Sequence, residues 1–179
     1  SWRSRLILAA LAALALSRAP LAQTSAIKLA TLVPDGSVWD KSLKQMGADW
    51  KAATGGRVDL TVYAGGSQGD EPTVLRKMRL NALQAGALTV AGLGSIDWSF
   101  NVFNIPFFFQ NYDELNHVVD KLTPLLKQRV EAKGFVLVHW GHGGWLQVFS
   151  KQPVQTPADL RKARLFTSAG DDSMTQWYK

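Results

Sequence analysis

From Ile27 onward the hydrophobic positions alternate between two periods. IKLATLV (27–33) and RVDLTVY (57–63) are short β-prone runs. Between them, Trp39, Leu43, Met46 and Trp50 fall on one stripe at helical spacing. That helix is capped by Ser37, carries Asp40 in its first turn and stops at Thr54-Gly55-Gly56. After the glycine-rich AGGSQG (64–69), Asp70 and Glu71 stand at the positive end of a second helix, with Pro72 in its first turn, where a missing N–H costs nothing. A third strand is expected at 87–91 (ALTVA), then a loop from Gly92 to Asp97 and an aromatic run, FNIPFFF (103–109), suited to a core.

Helical spacing returns at Leu115, Val118, Val119 and Leu122, with a new start at Thr123-Pro124 and a stop at Lys133-Gly134. FVLVHWG (135–141) and WLQVFS (145–150) read as strands, TPADL (156–160) as a helical turn and ARLFT (163–167) as a further strand. Strands separated by helices of this length predict an α/β sheet covered on both faces.

The first 26 residues follow a different rule. Arg3 and Arg5 precede an unbroken apolar run of 11 residues, Leu6 to Leu16, and then SRAPLAQTSA, which is polar and rich in small side chains. This is the layout of a secretory signal peptide, with cleavage expected after Ala22 and as late as Ala26. The run falls well short of the roughly 20 residues a membrane-spanning helix needs, so no stable membrane insertion is expected. Export to the periplasm follows. The chain begins at Ser1 and stops at Lys179 inside DDSMTQWYK, a stretch resembling an opening helix, so it reads as open at both ends.

Composition removes several classes of chemistry. The formal charge of +6 falls to +3 once Arg3, Arg5 and Arg18 of the leader are set aside, too little for a nucleic-acid footprint. With no cysteine, thiol nucleophiles and Cys-ligated zinc are out. His139 and His142 would point to opposite faces of a strand, His117 sits among polar residues, and phosphate-loop and dinucleotide fingerprints are absent. No metal or cofactor is expected. Arg76, Lys77 and Arg79 read as a solvated helix face.

One motif suggests catalysis. Gly65-Gly66-Ser67-Gln68-Gly69 matches G-x-S-x-G between a strand and a helix, and His142-Gly143-Gly144 resembles an oxyanion-hole loop. A secreted serine hydrolase using Ser67 is therefore the alternative reading. The order opposes it, because in that fold the oxyanion loop precedes the nucleophile. The milder reading is that these glycines turn the backbone sharply at strand ends, where α/β sheets bind ligands.

The order IKLATLVPDGS, TGGRVDLTVYAGGSQGDE, VLRKMRLNALQAGALTVAGLGSI, VFNIPFFFQNYDEL and VFSKQPVQTPADLRKARLF resembles the solute-binding proteins of tripartite ATP-independent periplasmic (TRAP) transporters, of the C4-dicarboxylate-binding type. The likeness runs from about Ile27 to Lys179. It implies a non-enzymatic receptor with a two-lobed, venus-flytrap α/β fold that closes on a small organic solute and hands it to membrane permease subunits. On this resemblance 1–22 is the signal peptide, 23–142 most of lobe I, and 143–179 the hinge and the start of an incomplete lobe II.

The resemblance also implies ligand contacts at Leu32, Glu71, Thr89, Gly92, Trp145 and Phe166. Members that bind carboxylates carry an arginine where this chain has Phe166, after Asp159-Leu160-Arg161-Lys162-Ala163-Arg164-Leu165, and a second at about Trp145 or Leu146. A guanidinium fork holds a carboxylate bidentately, and neither aromatic can. Arg164 would replace the first only in a different strand register. The expected pocket is roomier and more apolar than a dicarboxylate site.

Overall fold

The computed structural model describes residues 24–145, 147, 149–164, 166 and 176. The leader expected over 1–22 lies outside the described residues.

Three parallel strands form a sheet in the order β2-β1-β3: β1 (Ser25–Thr31), β2 (Val58–Tyr63) and β3 (Ala85–Ala87). β1 is central, with Ser25 opposite Val58 and Ala30 opposite Tyr63 on one side, and Leu29 opposite Ala85 on the other. Parallel neighbours need crossover connections. These are α1 (Val38–Ala53), from β1 to β2, and α2 (Glu71–Arg79), from β2 to β3. Strand β3 then leads into α3 (Val90–Ile96), so three helices begin at the C-terminal edge of the sheet. Each start has a local cause. Ser37, Asp70 and Thr89 hold extended backbone, and their side-chain oxygens accept from the N–H groups of Asp40, Thr73 and Gly92. α1 lies close on β2 at Gly47, where a Cβ would stand 3.0 Å from Leu60 Cβ.

A 3-10 helix (Trp98–Asn104) and the long α4 (Tyr112–Glu131) complete the described core. Leu75, Ile96, Phe100, Leu126 and Val130 form one buried cluster, and Ala30, Val74 and Leu83 a second beside it. A short α5 (Pro157–Lys162) starts with a capping box, in which Thr156 and Asp159 each accept the other's backbone N–H.

Several expectations are corrected. The third strand covers 85–87 rather than 87–91, and the predicted loop after Gly92 is α3, because Thr89 caps a helix there. α4 runs through Pro124 without a new start. Leu126 and Val130 of its second half are buried in the core, and Thr123 Oγ1 holds the Val119 carbonyl just before the proline. The aromatic run is only partly core: Phe103 packs inward, whereas Phe107 is 94% exposed and Phe108 is also exposed.

The segment 135–141 forms no strand, yet it keeps a strand's alternation over 135–138, before exposed His139 breaks the period ahead of Trp140. Phe135, Leu137 and Trp140 pack on the core while Val136 and Val138 are 73% and 74% exposed. It has the pattern but no ladder among the described residues. No regular element occurs among the described residues of 145–150, and of the strand expected at 163–167 the described residues 163, 164 and 166 are not in a strand.

Candidate functional site

The C-terminal edge of a parallel sheet is where the strand ends stop and the following helices present their N-termini. Four of the six residues expected to contact a ligand lie there. Glu71 is the first residue of α2, Thr89 caps α3, Gly92 lies in the first turn of α3, and Leu32 follows β1.

Glu71, Thr89 and Gly92 form one contact group. The Glu71 carboxylate is 2% exposed and accepts from the Thr89 N–H at 2.5 Å and the Thr89 hydroxyl at 2.6 Å. Gly92 completes the arrangement, since a Cβ there would stand 2.8 Å from the Glu71 carboxyl carbon. The acid ties the starts of two helices together. It sits where two helix N-termini bring partial positive charge, which stabilises a buried carboxylate.

Leu32 lies against the glycine-rich loop, with Cδ2 3.4 Å from the position a Gly66 Cβ would take. The Gly65 and Gly66 N–H groups bond the carbonyls of Val33 and Thr31, at 2.8 and 3.0 Å, folding the loop back over the end of β1. Both glycines have positive φ, 64° and 70°, a conformation that disfavours side chains. Lys77 Nζ fastens the loop from α2, donating to the Gln68 carbonyl and side-chain oxygen at 2.9 and 3.0 Å. One member of the basic cluster thus has a structural task.

Trp145 is placed apart from this group. Its ring packs on Tyr112, the first residue of α4, at 5.0 Å, and Tyr112 also meets His142 edge-on at 5.6 Å. The chain before it crosses the start of α1: a Cβ on Gly141 would stand 3.0 Å from the Trp39 ring. Periodicity assigned Trp39 to the stripe of α1 and offered no signal for Tyr112, because the partners of both come from a distant segment. Phe166 is 92% exposed and makes no aromatic contact among the described residues.

One buried acid at this edge is paired with a lysine. Asp40 is buried in the first turn of α1, accepting from the Gly36 N–H at 2.9 Å and from Lys44 at 2.8 Å. The Lys44 bond, then the Gly36 N–H, holds its carboxyl below the usual carboxylate range. Lys44 also reaches Asp35 at 2.9 Å. Among the described residues no group of three or more potential metal ligands converges, and no helix is long and apolar enough to cross a membrane.

The hydrolase alternative is corrected by geometry. A nucleophile elbow strains the serine itself. Here the positive φ values fall on Gly65, Gly66 and Gly69 instead, and Ser67 is exposed. His142 meets Tyr112, and no hydrogen bond joins a histidine to Ser67 among the described residues.

Comparison with known proteins identifies relatives of this chain. The profile of the bacterial extracellular solute-binding proteins, family 7, matches residues 29–178. The C4-dicarboxylate-binding periplasmic protein DctP of Rhodobacter capsulatus is 27% identical over 149 residues, which is 82% of this chain and 45% of that protein. The 2,3-diketo-L-gulonate-binding periplasmic protein YiaO of Escherichia coli is 27% identical over 120 residues, 64% of this chain and 36% of that protein. Among solved structures, a TRAP periplasmic solute-binding protein from Pseudomonas putida F1 with bound D-glucuronate superposes with a TM-score of 0.69 at 27% identity, covering 76% of this chain and 45% of its own. DctP7, a Bordetella pertussis extracytoplasmic solute receptor binding pyroglutamic acid, gives 0.67 at 28%, covering 76% and 46%. The chain therefore spans less than half the length of these relatives. A profile match over most of its residues makes this chain a member of the bacterial extracellular solute-binding proteins of family 7.

Proposed function

We propose that this chain supplies most of the first lobe, the hinge and the start of the second lobe of an exported TRAP-type receptor, which closes around a small organic acid and delivers it to membrane permease subunits. The observation that carries this reading is the family match over 29–178, together with solved relatives that hold D-glucuronate and pyroglutamic acid. The protein acts by binding rather than by turnover. A solute held better by the closed arrangement than by the open one shifts the population toward closure.

Lobe I takes in 23–142, and the chain enters the hinge at 143. Leu32, Glu71, Thr89 and Gly92 form the wall that this lobe presents, and the family resemblance adds Trp145 and Phe166 as contacts supplied from the hinge and the start of the second lobe. Export by the leader fits the first strand. Ser25 bonds the Arg57 carbonyl at 2.7 Å and Ala26 pairs with Asp59, so cleavage after Ala22 leaves β1 whole, whereas cleavage after Ala26 removes its first two residues.

The test is thermal unfolding of the complete secreted protein with a panel of mono- and dicarboxylates and neutral aromatic compounds. A solute at about 100 times its dissociation constant stabilises by about 2.7 kcal/mol, a readily measured shift. Stabilisation by at least one organic acid supports the reading, and stabilisation by neutral compounds alone overturns the organic-acid assignment.

A further inference from the structure

The chain leaves the buried core at Trp140, whose indole N–H donates to Thr123 Oγ1 and whose ring packs on Phe100 and Phe103. The residues that follow meet two rings from distant elements. Gly141 lies on the ring of Trp39 from α1, since a Cβ there would stand 3.0 and 3.1 Å from two of its carbons. Its φ is not positive, so close approach is what calls for a glycine. His142 and Trp145 then both pack on Tyr112 of α4, at 5.6 and 5.0 Å between ring centres. Between them a Cβ on Gly143 or Gly144 would meet nothing within 4 Å, and Gly144 has a φ of 101°, a conformation that side chains rarely adopt. Among the described residues no hydrogen bond ties 142–145 to another segment. A held point is followed by a free glycine pair and then by a second contact that rests on one tyrosine ring.

We propose that Gly143-Gly144 is a pivot and that the Trp145–Tyr112 contact is a latch, holding the chain beyond Trp145 in one orientation to lobe I. Tyr112 is then a positioning residue for the second lobe. This inference rests on the receptor reading above, in which the chain enters the hinge at 143. Its physical basis is the difference between the two ends. The first is fixed, because Gly141 sits on Trp39 directly after a tryptophan tied into the core. The second depends on an aromatic pair, which biases an equilibrium by roughly two- to tenfold. That is enough to favour one arrangement and too little to forbid the other. Rotation about the glycine backbone parts Trp145 from Tyr112 while Gly141 stays in place.

The experiment puts nitroxide labels on cysteines introduced at Gln128 of α4 and Lys162 of α5 in the complete secreted protein, and reads their distance distribution by pulsed electron paramagnetic resonance. Residues 1–179 hold no cysteine, and any in the remainder is first replaced by serine. Tyr112→Ala is expected to raise the population away from the main wild-type distance at least threefold. Gly144→Ala disfavours the latched backbone independently and is expected to shift the distribution the same way. Tyr112→Phe and Gly143→Ala should leave it as in the wild type, and circular dichroism checks each variant for folding. Unchanged distances in Tyr112→Ala overturn the latch, and so does a Tyr112→Phe distribution that matches Tyr112→Ala. Unchanged distances in Gly144→Ala overturn the pivot, and that variant decides alone if Tyr112→Ala does not fold. Solute stabilisation in the unfolding panel with distances that no variant moves overturns this inference and leaves the receptor reading intact.

Discussion

Glu71 and Gly92 compete for the same space: the carboxyl carbon of one lies 2.8 Å from where a Cβ on the other would stand. The acid is buried and held by two bonds to Thr89, so it has little room to retreat. Gly92→Ala should therefore destabilise the protein by about 1–3 kcal/mol, the usual cost of overpacking a filled site. The cause can be isolated in a double-mutant cycle with Glu71→Ala, followed by urea unfolding. If the clash is responsible, the alanine at 92 should cost much less once the carboxylate has gone.

Asp97 joins the start of the 3-10 helix to the end of α4. It accepts from the Ser99 N–H at 3.0 Å and from the Ser99 hydroxyl, and it faces Arg129 and Lys133 at 3.5 and 3.3 Å. The Ser99 hydroxyl bond, then the Ser99 N–H, with help from Lys133, lowers its carboxyl from 3.8 to about 2. A depressed folded value contributes stability that is fully present above about 3.8 and is lost as the pH falls through about 2. Between those limits Asp97→Asn should flatten the slope of stability against pH, and chemical unfolding at several pH values measures it. An unchanged slope would mean that Asp97 is not linked to folding.

Trp140 connects the unpaired segment to the core. Its indole N–H donates to Thr123 Oγ1 at 2.9 Å, and its ring lies 5.9 Å from Phe100 and 5.6 Å from Phe103. Thr123→Val keeps the shape but strands that N–H, with an expected loss of about 1–3 kcal/mol. Trp140→Phe removes the donor instead, so adding Thr123→Val to it should cost less than in the wild type, as denaturant titration would show.

Pro124 interrupts α4 without ending it. A proline inside a helix removes one backbone bond and crowds the carbonyl four residues earlier, here that of Asp120. Pro124→Ala should raise the unfolding free energy by about 1–3 kcal/mol. A decrease would show that the local geometry of α4 depends on the proline.

Ser67 is exposed in a turn whose positive φ values are carried by glycines. Ser67→Ala should alter stability by no more than about 0.5 kcal/mol. An activated ester incubated with either form should be hydrolysed no faster than in buffer, and any rate abolished by the substitution would revive a hydrolase.

Local chemistry was legible wherever it needed only neighbours in the chain. Ser37 and Asp70 start helices where the residue pattern places them, Thr156 begins the last one, and β2 falls within one residue of its expected bounds. The edge group was legible only in part. Glu71, Thr89 and Gly92 could be named from the family resemblance, but Thr89 read as part of the β-prone run ALTVA, and its bonds to Glu71 come from 18 positions away.

By itself the sequence determined the alternation of short strands and capped helices and, through the order of its motifs, the family of the chain. The elements follow from side-chain spacing, or from a residue acting on its own backbone. Tertiary structure alone decided that Glu71 bonds Thr89 across 18 positions, that α4 continues past Pro124 because Leu126 and Val130 are buried, and that Phe107 faces solvent while Phe103 packs inward. It also left Val136 and Val138 exposed on a segment that alternates over 135–138 and has no ladder among the described residues. Alternation records which face a residue prefers, but a ladder needs a neighbouring backbone, and only the folded arrangement supplies one.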